Sequence, residues 1–222
     1  MERHFEQELD KLNRRILKMG GLVSEQVKKA MTALVRCDVQ LAEEIIEGDI
    51  RLDKLDVKID KLCQRIFVLT QPVATDLRLI MSALKMNNDL ERMGDLAVSI
   101  ARKIEGIHGS AEIIAGGQID ELAKMTGMIV NDVINVLHSR NIAIVNDIFA
   151  DARIIKDKTR ILSEKIIDRM KQEPELIPGA TCLIIILTHI GRLADYTTNI
   201  AESVIFLVDG RIVKHGILRE ED

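Results

Sequence analysis

Two carboxylates, Glu91 and Asp95, stand four residues apart in NNDLERMGDLAVSIARK, residues Asn87–Lys103. On a helix that spacing puts both on one face, where like charges repel by roughly 0.2–0.5 kcal/mol. Gly94 lies between them, and no Lys or Arg sits a turn away on the same face. The habit recurs. Asp49 and Asp53 bracket DIRLD, Asp147 and Asp151 bracket DIFAD, and Asp195, Asn199 and Glu202 share one helical face. Acids spread over exposed helix faces are ordinary solvated surface. Acids gathered from neighbouring helices form a cation site instead. With no His or Cys beside them, the donors would be oxygen only, which suits Mg²⁺, Ca²⁺, Mn²⁺ or iron in an oxygen-rich shell. Spacing alone leaves both readings open and names no metal.

Other chemistries find no support. Glu105 and His108 form one E-x-x-H, whereas a di-iron bundle needs two with further Glu residues. His4, His138, His189 and His215 have no second His or Cys at ligand spacing. The Gly20–Gly21 and Gly116–Gly117 pairs follow no strand and lack the lysine of a phosphate loop. No Ser or Cys nucleophile has a visible base. The chain therefore reads as a non-enzyme. Arg92 and Arg192 lie beside the acid faces, able to pair with the acids or to bind phosphate; pairing is the simpler role.

The elements that must position these residues are helices. Of 222 residues, 47% are apolar but only 2% aromatic, and there are three Pro, so the core is built from Leu, Ile, Val, Met and Ala. The net charge of −4 is interspersed, without a basic block or aromatic platform for nucleic acid. The opening MERHFEQELD carries no signal-peptide apolar region, and CLIIIL, Cys182–Leu187, is far short of a membrane span. Three scattered cysteines fit a reducing cytoplasm.

Period and punctuation predict an all-α chain of six long helices. The first spans about 2–36. Asp38 caps the second, to about Leu69. QPVAT breaks it at Pro72, and Thr75 caps the third, to about Glu105. A glycine-rich stretch, 106–117, marks a boundary. The fourth helix spans about 119–138, Asn141 caps a fifth to about Gln172, and EPELIPG mirrors the Pro72 turn before a sixth over about 180–208. Residues 1–108 and 118–208 thus form tandem three-helix bundles, with a short tail at 209–222 as an extended arm. The halves match at an offset of 100, with Arg92, Asp95, Ile100 and Ala101 answering Arg192, Asp195, Ile200 and Ala201. At an offset near 102, Asp49 answers Asp151. This is an internal duplication. Antiparallel packing of helices two and three would gather their acid pairs in one patch.

QPVATDLRLIMSALKMNNDLERMGDLAVSIA and HIGRLADYTTNIAESVIFLVDGRIVKH resemble the first- and second-repeat signatures of the PhoU family. The resemblance spans nearly the whole chain. It implies a cytoplasmic, all-α, twin-bundle protein without enzymatic activity, commonly a homodimer. It also implies negative regulation of phosphate uptake and of the phosphate-starvation response. The implied partners are the nucleotide-binding subunit of a phosphate ABC transporter and a membrane-bound sensor histidine kinase, so that membranes are reached only through them. Some members hold iron or other divalent or trivalent ions on paired E/D-x-x-x-D motifs. Carried over, those motifs fall on Asp49–Asp53 with Glu91–Asp95, and on Asp147–Asp151 with Asp195. The second repeat departs: Gly191 stands where Glu91 does, with Asn199 and Glu202 as substitutes, so the two sites should differ. A carboxylate-bundle iron protein and a metal-free helical adaptor are the competing readings.

Overall fold

The structure is a computed structural model that describes residues 2–69, 74–107, 117–214 and 217–218. Helix α1 runs Glu2–Arg36. It stops where Cys37 turns left-handed, with φ of 50°, and Asp38 caps α2 by accepting from the Leu41 amide at 2.9 Å. The expected second helix is two: α2, Val39–Gly48, and α3, Ile50–Leu69. Asp49 keeps helical angles between them, and the Leu52 amide bonds to its carbonyl at 2.8 Å, a tightened turn. Gly48, a poor helix former, stands at the interruption. Most of QPVAT lies outside the described residues, but α4, Ala74–Ile104, already contains Thr75, so Thr75 is not its cap.

A single 3₁₀ turn, Glu105–Ile107, ends the first repeat. Here a Cβ on Gly106 would lie 2.6 Å from the Cys182 sulfur, so only glycine lets this turn approach the last helix. The rest of the glycine-rich stretch, up to residue 116, falls outside the described residues. Then come α5, Gln118–Ser139, and α6, Val145–Gln172, joined by a 3₁₀ turn that Asn141 caps through the Ala143 amide. Pro174–Leu176 forms another such turn before α7, Ile177–Asp209, which Gly210 ends at φ 74°. The tail is not simply an arm: β1, Val213–Lys214, pairs antiparallel with β2, Ile217–Leu218, and Val213 is buried against α7.

Helices α1 to α4 form one bundle and α5 to α7 a second, and the two are packed together through α4 against α7 and α1 against α5. Helix α7 is long and apolar enough to cross a membrane by composition, but it packs on α4, α5 and α6. Burial repeats with the duplication. Ile80, Ala83, Met86 and Leu90 of α4 are buried, as are Ala180, Leu183, Ile186 and Ile190 of α7, one hundred positions later. In the middle helices Ala42, Ile45, Leu52, Ile59 and Cys63 answer Val145, Ile148, Ile155, Leu162 and Ile166, which sets the offset at 103. One residue of register turns a helix by about 100°. Asp49 therefore answers Ala152, not Asp151.

Candidate functional site

Helices α3 and α4 run antiparallel, and their facing edges carry the acids. Gly94 explains the closeness. A Cβ there would lie 2.9 Å from Leu52 Cδ1 and 3.6 Å from Asp49 Oδ1. Its absence lets α3 sit directly on α4 and brings Asp49 to the edge held by Glu91 and Asp95. Asp49 accepts a 2.9 Å hydrogen bond from Gln26 of α1. Burial pushes its carboxyl up, and Asp53 and Asp95 push it further, against the Gln26 bond and Arg102. Glu91 is likewise raised by burial and then by Asp95, with Asp56 adding to it and Arg92 opposing. Arg92 reaches round the helix to both acids, with Nε 3.4 Å from Glu91 and Nη1 3.3 Å from Asp95. It is a pairing arginine, half exposed and only a partial counterweight.

The acid row is longer than the motif. One turn on, buried Asn87 donates to Asp56 at 2.6 Å and to Asp60 at 3.0 Å. Asp56 is raised by burial and by Asp60, against the Asn87 bond. The Asn87 carbonyl oxygen is buried with no protein partner. Sequence reasoning passed over Gln26, Asn87, Asp56 and Asp60. The last two were legible, because Asp49, Asp53, Asp56 and Asp60 continue a single helical stripe.

The second repeat differs. The cleft between α6 and α7 has a volume of about 300 Å³ and is lined by Arg153, Lys156, Asp195, Thr198, Asn199 and Glu202, among others. Asp147 and Asp151 do not line it and are exposed on α6. Lys156 Nζ stands 2.7 Å from Asp195 Oδ1. Asn199 and Glu202 also reach the seam between repeats, where a cleft of about 490 Å³ lies between α4 and α7. There Asn199 bonds to Asp89, whose carboxyl is pushed up to about 6 by burial and by Glu202, against Lys85. At the offset of 100, Asp89 is answered by His189. Burial lowers the pKa of His189, helped by Arg192 and Lys103. Arg192 thus stands near a histidine rather than an acid pair.

What the first groove offers a hard cation is oxygen donors, carboxylates raised by burial first and by one another next. Its acids stand as neighbouring pairs. Among the described residues no three or more His, Cys, Asp or Glu side chains are gathered so that they could hold a metal ion. Glu105 sits at a bundle end, and His108 lies outside the described residues.

The family model described as PhoU domain matches residues 16–104 and again 119–204. The chain belongs to the PhoU family. It is 32% identical over 214 residues to the phosphate-specific transport system accessory protein PhoU homolog of Aquifex aeolicus, covering 96% of this chain and 97% of that one. It is 29% identical over 213 residues to the Serratia marcescens accessory protein PhoU, covering 95% of this chain and 87% of the other. Among solved structures, PhoU from Pseudomonas aeruginosa superposes with a TM-score of 0.88 at 29% identity, covering 93% of this chain and 99% of that one. The phosphate transport system regulatory protein PhoU from Streptococcus pneumoniae gives 0.84 at 31%, covering 95% and 99%. The all-α, duplicated fold of the PhoU family is thus present, with both repeats matched and the grooves of the two repeats differently furnished.

Proposed function

We propose that this chain is a cytoplasmic, non-enzymatic accessory regulator of phosphate transport, restraining phosphate uptake and starvation signalling. It acts as an adaptor, docking a face of the twin bundle on the nucleotide-binding subunit of a phosphate transporter and on a sensor histidine kinase. It works as a homodimer. The observation that carries the reading is the double PhoU match, together with relatives named as accessory proteins of a phosphate-specific transport system along almost the full chain. The absence of any nucleophile–base pair in the sequence supports an adaptor over an enzyme.

In the same reading, the α3–α4 groove holds a hard metal ion through Asp49, Asp53, Glu91 and Asp95, with Asp56 and Asp60 at its far end. The ion would supply positive charge that relieves the repulsion among these acids and fixes the edges of the two helices. Iron and other divalent or trivalent ions suit the donors.

The test has two arms. Deleting the gene should raise phosphate uptake and polyphosphate under phosphate-rich conditions, and immobilised protein should retain the transporter's nucleotide-binding subunit. Unchanged uptake together with no retention would refute the regulatory reading and leave a plain helical adaptor. Elemental analysis of the Glu91→Gln/Asp95→Asn variant should show metal lost with helicity intact. Equal metal content in variant and parent would refute the site.

A further inference from the structure

The register that aligns the buried faces of the middle helices shows what replaced each acid in the second repeat. Ala152 stands for Asp49, Lys156 for Asp53, and Thr159 for Asp56, while Gly191 stands for Glu91. The first and fourth long helices align at an offset of 107: Val23, Val27 and Ala30 answer Val130, Ile134 and Leu137. Gln26, which donates to Asp49, is then answered by buried Val133. The polar partner has gone with its acid. Of the facing acids only Asp195, the counterpart of Asp95, survives, and Lys156 is on it at 2.7 Å.

We propose that Lys156 is a tethered cation occupying the place that the first repeat leaves to a mobile one. The second repeat then takes no metal ion, and the chain responds to a hard cation through its α3–α4 groove alone. This rests on the metal reading of that groove given above.

Three features hold the inference together. The ammonium sits where an ion bridging α6 and α7 would sit, and a second cation, Arg153, lines the same cleft. An incoming divalent ion would meet like charge at close range. Thr159 is not a substitute ligand: its hydroxyl donates to the Lys156 carbonyl at 2.8 Å, within its own helix. Gly191 removes the counterpart of Glu91, which leaves Asn199 and Glu202 as the oxygen donors beside Asp195 in a cleft that already holds Lys156 and Arg153; a Cβ at Gly191 would meet the Thr159 hydroxyl oxygen at 3.5 Å, ordinary contact. The Lys156–Asp195 pair is half exposed and contributes little stability. Its role is to fill a position with charge.

Mn²⁺ is the probe, titrated into the full chain by calorimetry and by electron paramagnetic resonance of the free ion. Asp195→Asn should leave both stoichiometry and affinity as in the parent. Glu91→Gln/Asp95→Asn should weaken binding about tenfold or more. Lys156→Asp, at an exposed position and so compatible with folding, should add Mn²⁺ per chain beyond the parent's. The inference is overturned if Asp195→Asn lowers the stoichiometry, or if Lys156→Asp gains no ion. If the parent binds no Mn²⁺ at all, the metal reading of the first groove fails by itself. The Lys156→Asp chain still decides the role of Lys156, since a newly gained ion supports it and no gain overturns it.

Discussion

Replacing Asp89 by Asn should strengthen the joint between the repeats at neutral pH. The Asp89 carboxyl lies in the α4–α7 cleft and is raised from the ordinary 3.8 to about 6, by burial first and by Glu202 next. A group that holds its proton more tightly folded than unfolded costs stability once it ionises. The cost is complete above the folded value, shrinks as pH falls through about 6, and is gone below about 4. About two pH units correspond to about 3 kcal/mol at about 1.4 kcal/mol each. Because the carboxyl is partly exposed and has Lys85 near it, solvent screening reduces this to about 1–2 kcal/mol. Asn keeps the shape and can still accept from Asn199. Urea unfolding of parent and variant should therefore show the variant more stable by about 1–2 kcal/mol near pH 7.5, with the difference shrinking as pH falls through about 6 and gone only below about 4. Reading the difference between the two proteins removes the other titrating acids. A variant less stable near neutrality, or a difference unchanged with pH, would refute the argument.

The glycines of the two repeats should behave unequally. Gly94→Ala drives a methyl into Leu52 and should cost about 1–3 kcal/mol in urea unfolding. Gly191→Ala finds ordinary contact and should be neutral, or stabilising by up to about 1 kcal/mol. Gly106→Ala must push the 3₁₀ turn off Cys182, which should lower the melting temperature and speed modification of the Cys182 thiol by a thiol reagent. In metal-free protein Glu91→Gln/Asp95→Asn should raise stability slightly at neutral pH, by about 0.2–0.5 kcal/mol for the relieved pair, with the gain fading as pH falls through the raised Glu91 range. Thermal melts at two pH values check it.

What sequence reasoning could see follows from which forces act locally. Helix existence, the duplication and the Asp38 cap are written in period and side-chain type, and they stand in the structure; Asn141 does cap, but the 3₁₀ turn ahead of α6 and not α6 itself. The break at Gly48–Asp49 was missed because Asp49 keeps helical angles, so no turn residue announces it. Thr75 lies inside α4 and not ahead of it, because a capping residue is recognised by type alone while type does not fix the residue at which a helix starts. The acid pairs of the first half were found, but their extension to Asp56 and Asp60 was lost by stopping at the four-residue motif. In the second half the motif itself misled. Asp147 and Asp151 have the right spacing on the wrong face, and only burial, which a sequence does not display, fixes the register of α6 against α7.

The same distinction explains why the two halves could diverge in charge while remaining alike in shape. The buried stripes answer one another position for position because each large side chain fills space that a smaller one would leave empty, at a cost of about 2–5 kcal/mol for Leu or Ile cut to Ala. The rows bordering those stripes carry no such penalty. An acid there can give way to Lys156 or Gly191 for less than the cost of one core cavity, because these partly exposed positions leave neither a void nor a deeply buried orphan charge. Duplication therefore preserves the frame and frees its edges. The edge of α3–α4 carries several acids, raised by burial and by one another and only partly offset by Arg92 and Gln26. The edge of α6–α7 neutralised Asp195 from within. The two grooves therefore differ in charge on one shared frame: acids gathered along α3–α4, and an acid paired with a lysine on α6–α7.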